Sequence, residues 1–388
     1  MLKPIKLVTD TIDTTDIDLL IKWLQTYPRL TKGKITIQFE HKWSEWMGRK
    51  YSLFCNSGSS ANLLMLAALL EGDYISPGAQ VVVPALSWAT DLAPVMQLGL
   101  KPILCDINIQ DLSVDLDYLE DIFKNSRPSV LILVSVLGLV PQMDRILDLC
   151  QQYNVVLLED VCESLGSTFN QKKLGTFGLM SSFSTYFGHH ISTIEGGIVT
   201  TDDRKLINIL RSLRSHGWER DLDKDVQTTL RDEYEIDEFS ALYTFYYAGF
   251  NLRSTDLQAF IGLGQLDKLD QICFIRNKNY FLYNKFIKND YWSPPISLKH
   301  FVSNFAFPII HPNKKEIVEK LQESKIEVRP LICGSLGSQP FYVKKYGPIE
   351  LPNASHIDKY GCYIPNHPGL TDDQIKNISD IINMEIKE

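Results

Sequence analysis

The sequence predicts an α/β protein whose mostly parallel central sheet is covered by helices on both faces. Two observations carry that expectation. Short, continuous apolar runs recur at 81–83, 102–105, 130–134 and 155–158, each bounded by turn or charged residues; strands read this way when both faces of their sheet are buried. Between the runs lie segments of helical periodicity. Met143, Ile146, Leu147 and Cys150 share one face of 142–153, and Leu206, Ile209, Leu210 and Leu213 follow the i, i+3, i+4, i+7 pattern. Alternation of the two argues for strand–helix units assembled into a doubly covered sheet.

In chain order, a strand ending at Cys55 leads into 62–70 (NLLMLAALL). That stretch is apolar nearly all round, the mark of a helix buried deep in a large domain. The segment 219–247 is acidic, aromatic and weakly periodic, and reads as a loop-rich insertion. A long helical pattern then runs from Thr255 towards Asn289, until Trp292-Ser293-Pro294-Pro295 breaks it. The remainder reads as α+β: a strand near 305–310, a helix at 315–323, a strand at 326–328 and a last helix at 372–386. A boundary is expected within 265–290. It divides the chain into a large domain with an N-terminal segment, 1–270, and a smaller α+β domain, 271–388. No internal repeat or low-complexity linker interrupts this order.

Composition narrows the function classes. With 388 residues, 44% apolar and 22% charged, the chain is ordinary globular material, enough at about 150 residues per domain for two to three domains. Lys+Arg 39 against Asp+Glu 47 gives a net charge of −8, and no long basic run is present, which argues against nucleic acid or a membrane surface as partner. No apolar window is long enough to span a bilayer. Residues 1–10 carry basic groups without an apolar core, so a secretory leader is not expected. Seven scattered cysteines without a C-x-x-C pair read as reduced, buried thiols of a cytoplasmic protein, with no disulfide framework and no metal site.

Four segments carry candidate chemistry. Asn56-Ser57-Gly58-Ser59-Ser60-Ala61 opens the buried helix; such a turn can hold a phosphate with backbone N–H groups and hydroxyls, or be an ordinary N-cap. Asp160, ending Leu157-Leu158-Glu159-Asp160 ahead of Cys162-Glu163, sits where parallel sheets bind ligands, or caps the next helix. The third is Phe183-Ser184-Thr185-Tyr186-Phe187-Gly188-His189-His190, leading to Glu195-Gly196-Gly197. Adjacent histidines do not share a helix face, so a metal pair is poorly supported. The fourth, Gly249-Phe250-Asn251-Leu252-Arg253, is in isolation a loop.

Together and in order, these segments, with Ser87-Trp88-Ala89-Thr90 and Pro365-Asn366-His367-Pro368-Gly369-Leu370-Thr371, resemble the sugar aminotransferase family typified by DegT, DnrJ and StrS. The resemblance runs from about Lys34 to the end of the chain. It implies an aspartate aminotransferase-like architecture (pyridoxal-phosphate fold type I) and a pyridoxal 5′-phosphate or pyridoxamine 5′-phosphate cofactor. By resemblance, Gly58, Ser59 and Ser184 hold the phosphate, and Asn251 reaches it from a partner subunit, implying a homodimer. Trp88 stacks on the pyridine ring, Asp160 pairs with its nitrogen, and Glu163 sits near the ring hydroxyl or amine.

One departure decides the expected chemistry. Where aminotransferases of this family carry the Schiff-base lysine, this sequence has His189. Histidine forms no stable Schiff base, so the cofactor is expected to be held non-covalently, while imidazole remains a base near neutrality. Lys173 and Lys205 lie outside the 184–197 motif. The exchange resembles the sugar 3-dehydratase branch, which implies removal of the C-3 hydroxyl from a nucleotide-linked 4-keto-6-deoxyhexose, with GDP-mannose derivatives favoured and L-glutamate restoring the pyridoxamine form. In that resemblance His216, within Ser215-His216-Gly217-Trp218, is a second active-site histidine, and Glu327 orients it. A branch acting on CDP-linked sugars uses an iron–sulfur cluster on closely spaced cysteines; none of the seven here is so arranged, so no cluster is expected. The competing readings are an aminotransferase on the same scaffold and a non-catalytic, cofactor-binding regulator.

Overall fold

The structure, a computed structural model, describes residues 4–386. Residues 1–3, at the head of the segment read above for a leader, and 387–388, closing the expected smaller domain, lie outside the described residues. In chain order α1 (Thr14–Leu24) and α2 (Lys34–Met47) lead into β1 (Tyr51–Cys55), α3 (Gly58–Glu71), β2 (Gln80–Pro84), α4 (Ala89–Gln97) and β3 (Lys101–Cys105). There follow α5 (Leu116–Ser126), β4 (Val130–Val134), α6 (Met143–Tyr153), β5 (Val156–Asp160), the short hairpin β6 (Thr168–Phe169) and β7 (Lys172–Lys173), β8 (Met180–Ser184) and β9 (Gly197–Thr201). Next come α7 (Arg204–Arg214), α8 (Lys224–Glu233) and α9 (Asp256–Phe286), then β10 (Ala306–Ile310), α10 (Lys314–Glu323) and β11 (Arg329–Pro330). The chain ends with α11 (Pro340–Tyr346), α12 (Pro352–Tyr360), β12 (Gly361–Pro365) and α13 (Asp372–Ile386).

The main sheet has seven strands in the order β1-β9-β8-β5-β4-β2-β3. β3, β2, β4, β5 and β8 are parallel, and β9 alone runs against its neighbours β8 and β1. β1 therefore points the same way as β8. The carboxyl ends of these strands share one edge of the sheet, the place where α/β folds bind ligands. To that edge come Asn56–Gly58 after β1, Trp88 after β2, Asp160–Glu163 after β5 and Ser184–His189 after β8. A second, antiparallel sheet has the order β10-β12-β11.

The expected apolar runs form strands because helices bury them on both sides; every residue of β4 is buried. α3 packs on β8, β9, α4 and α7. Leu64, Met65, Leu66, Ala68 and Leu69 are buried all round it, so truncating Leu64 to Ala costs about 2–5 kcal/mol. α9 begins with a capping box between Thr255 and Gln258 and runs for 31 residues, about 46 Å. It packs against α1, α2 and α13, and so passes from beside the main sheet to the smaller sheet's helices. The expected boundary near 270 falls inside it.

Two local expectations are corrected. The 219–247 insertion is not loop throughout: it contains α8 and a short 3-10 turn at Ser240–Tyr243. α8 escapes notice because among its residues only Gln227 is buried, leaving no apolar stripe to read. The expected strand at 326–328 is not formed there. Residue 326 instead makes a single parallel bridge to Ile5, with Ile5 N donating to Lys325 O and Glu327 N to Ile5 O, and the strand forms at β11. The N-terminal segment takes up the backbone groups that a ladder would use. All seven cysteines are free, five of them buried. No helix among the described residues is long and apolar enough to cross a membrane.

Candidate active site

An acidic centre lies at the end of β5. Asp160 Oδ2 accepts from Asn62 Nδ2 at 2.7 Å and Oδ1 from Cys162 N at 2.9 Å. Asn62 Nδ2 also reaches Asp91 Oδ1 at 3.0 Å, so one carboxamide on α3 joins carboxyls from β5 and α4. Asp91 is buried, and burial followed by repulsion from Asp160 raises its pKa well above the carboxylate range. Glu163 accepts from Leu137 N at 2.8 Å; burial, partly offset by that bond and reinforced by Asp160, moves its pKa up to about 7. Near neutrality the cluster thus holds Glu163 poised between its two states.

The other end suits an anion. Ser57 is the N-cap of α3, its Oγ accepting from Ser60 N at 3.1 Å, so the turn is indeed a cap. That does not exclude the second use, because the first N–H groups of a helix lack intrahelical partners and carry the positive end of its dipole. Gly58 is bare for a steric reason. A Cβ there would stand 2.8 Å from Ser184 Cβ and 3.2 Å from Cys162 Sγ. Gly58, Ser184 and Cys162 therefore meet, with Ser59 exposed beside them. From Gly58 to Asn62 is four residues, about 6 Å along the helix.

His189 lies beside this axis, following β8. Its ring packs on Phe305 at 5.2 Å between centroids, and its Nδ1 is buried without a partner. Burial lowers its pKa to about 4; the Asp160 carboxylate opposes the shift and the Arg276 guanidinium adds to it. His189 is therefore neutral at pH 7, able to take a proton. His190 is different: fully buried, its Nε2 meets Ser303 O at 3.0 Å. It serves the fold.

The lysines nearest in sequence are engaged elsewhere. Lys173 Nζ donates to Trp46 O and sits over the Trp46 ring, and Lys205 Nζ donates to Gly72 O at 2.6 Å. Trp88, the N-cap of α4, is 56% exposed. His216 and Asn251 sit on the surface of the single chain. Their segments touch through an isolated Ser215–Asn251 bridge, and Arg253 reaches both side chains, donating Nε to Asn251 Oδ1 at 3.1 Å and standing 3.2 Å from His216 Nε2. The expected pairing of Glu327 with His216 is not made within the chain. Glu327 Oε2 accepts from Leu7 N at 2.9 Å, anchoring the N-terminal segment. A cleft of about 300 Å³ lies elsewhere, among Lys32, Glu40, Arg211, Arg214 and Asp221, and contains none of these groups.

Asn62 and Asp91 are site residues that motif reading passed over. The signal was faint: Asn62 is the one polar residue of 62–70, placed one helical turn after Gly58.

The sequence pattern of the DegT/DnrJ/EryC1/StrS aminotransferase family matches residues 11–383. The chain belongs to this family. It is 35% identical over 365 residues to the GDP-4-keto-6-deoxy-D-mannose 3-dehydratase of Yersinia pseudotuberculosis, covering 91% of each. The solved structure of the Escherichia coli GDP-4-keto-6-deoxy-D-mannose 3-dehydratase with bound hydrated PLP superposes with a TM-score of 0.88 at 31% identity, over 98% of this chain and all of that one. An aminotransferase of Helicobacter pylori involved in pseudoaminic acid biosynthesis matches with a TM-score of 0.87 at 25% identity, over 99% of this chain. The fold is that of the PLP-dependent aminotransferases. A dehydratase and an aminotransferase both have it, so the fold alone does not separate the two reactions.

Proposed function

We propose that this protein is a pyridoxamine-phosphate-dependent 3-dehydratase that removes the C-3 hydroxyl of GDP-4-keto-6-deoxy-D-mannose, with L-glutamate as co-substrate. The observation that carries the reading is the neutral imidazole of His189 at the carboxyl edge of the sheet, with Asp160 near it and the Lys173 and Lys205 ammonium groups held away. The residues fit the cofactor. Gly58, Ser184 and the exposed Ser59 gather at the N-terminus of α3, whose free N–H groups suit a phosphate, and the buried Asp160 lies at the same edge of the sheet.

In this reading Gly58, Ser59 and Ser184 bind the phosphate, Trp88 covers the ring, and Asp160 pairs with the pyridine nitrogen. Asn62 and Cys162 N orient Asp160 by their two hydrogen bonds. Pyridoxamine phosphate, when bound there, would supply a primary amine and an electron-withdrawing ring. His189 would be the proton carrier, accepting a proton on its neutral ring and giving one to the departing C-3 oxygen of the sugar. Glu163, with a pKa near 7, sits beside the reacting groups and exchanges protons at little cost. In net terms the sugar exchanges its C-3 hydroxyl for hydrogen, glutamate becomes 2-oxoglutarate and ammonia is released.

The same reading makes the protein a homodimer of the cytoplasm, dividing near residue 270 into a large and a small domain. Trp88, Tyr186, Phe187 and Ile194, all around the site, are each at least 41% exposed in the single chain, which a partner bringing His216 and Asn251 would cover. Incubation with pyridoxal phosphate, glutamate and GDP-4-keto-6-deoxy-D-mannose, followed by NMR of the sugar, tests the activity. A 4-keto-3,6-dideoxy product is expected. A 4-amino sugar that keeps its C-3 hydroxyl contradicts the assignment.

A further inference from the structure

We propose that Arg276 is a positioning residue for the reaction, fixing the main chain of His189 to the junction between the two sheets. The inference rests on the reading of His189 as the proton carrier. Arg276 lies on α9, 2% exposed, and among the described residues it forms no ion pair with a carboxylate. A buried guanidinium ordinarily takes such a partner. Here its acceptors are carbonyl oxygens from three separate places. Nη1 donates to Phe305 O at 2.7 Å and Asn304 O at 3.4 Å, leading into β10, and to Asn366 O after β12; Nη2 donates to His189 O at 3.4 Å. Asn366 closes the arrangement, its Nδ2 donating to Arg276 O and Asn304 O, both at 3.1 Å. One side chain thus ties the His189 loop to the end of the smaller sheet where β10 begins and β12 finishes.

Its charge acts in the same sense. Burial lowers the Arg276 pKa only to about 10, so it stays cationic at neutral pH. The charged and titratable groups facing His189 are Asp160 from β5, Arg276 from α9, Tyr186 at 6.4 Å between ring centroids and the adjacent His190. The nearby cation adds to burial in keeping the imidazole unprotonated, and the carboxylate opposes it. A geometric tether and an electrostatic bias therefore come from one residue.

The test uses Arg276→Met, which removes the charge, and Arg276→Lys, which keeps it but cannot span three loops. In apoprotein labelled at histidine, NMR titration follows the His189 ring, assigned by its loss in His189→Asn. Arg276→Met is expected to raise the His189 pKa from about 4 by about 1 pH unit. Arg276→Lys is expected to leave that titration near wild type. In the glutamate half-reaction it should lower kcat about tenfold with KM within twofold, the mark of lost positioning. Unchanged His189 titration in Arg276→Met together with unchanged kcat in Arg276→Lys overturns the proposal, even if both variants melt earlier. Should Arg276→Met fail to fold, the Lys variant decides alone, and wild-type kcat there overturns it. The apoprotein titration moves whatever sugar product forms, so failure here is separable from failure of the dehydratase reading.

Discussion

Lowering the pH should destabilise the apoprotein through His189, and replacing that histidine by asparagine should remove the effect. The folded-state pKa is about 4, against an ordinary 6.5. Above pH 6.5 the ring is neutral in both folded and unfolded chains, and the full stability is present. Below it the unfolded chain takes up a proton that the folded one refuses until about pH 4, so stability falls across that window. At pH 5 the two pKa values imply a loss of about 2 kcal/mol, and the full difference of 2.5 units approaches about 3.4 kcal/mol. Urea unfolding at pH 7.5 and pH 5.0 reads this directly. The wild-type fall between the two should exceed that of His189→Asn by about 2 kcal/mol. Equal falls would mean that His189 titrates normally, and the case for a neutral, waiting base in the folded site would go with it.

Gly58→Ala, placing a methyl 2.8 Å from Ser184 Cβ, should weaken pyridoxal phosphate binding at least about tenfold in fluorescence titration, since overpacking displaces the cradle. Unchanged affinity would show that the phosphate sits elsewhere. Glu327→Ala should speed amide exchange at Leu7, whose N–H it accepts, without shifting any pH limb of the activity. A shifted limb would restore Glu327 to His216. Mixing inactive His189→Asn and His216→Asn chains should recover up to about a quarter of wild-type activity, because half of the dimers are mixed and half of their sites intact. No recovery would place both histidines in one chain's site.

Much of the architecture was legible because parallel strands covered on both sides must be continuously apolar, as at β4, and because α3 must be apolar all round. Elements lacking that constraint were not. α8 is solvated on nearly every side, β11 is two residues long, and the backbone at 326–327 is claimed by Ile5, more than 300 positions away. The site shows the same division. Gly58, Asp160, Ser184 and His189 stand at turns where chain direction announces them, and the fold brings them to one edge. Asn62, Asp91 and Arg276 act through tertiary neighbours, such as the carbonyls of Asn304 and Asn366, that no local pattern reveals. His216 and Glu327 were joined by resemblance alone, and in the single chain each has another partner.

The account turns on the absence of a tethering amine at the cofactor. Borohydride treatment of the protein loaded with pyridoxal phosphate, followed by proteolysis and peptide mass analysis, measures that tether. We expect every lysine-bearing peptide at its unmodified mass and the reduced cofactor free in solution. A phosphopyridoxyl group fixed to any lysine of the site would place the protein among the aminotransferases and contradict the role given to His189.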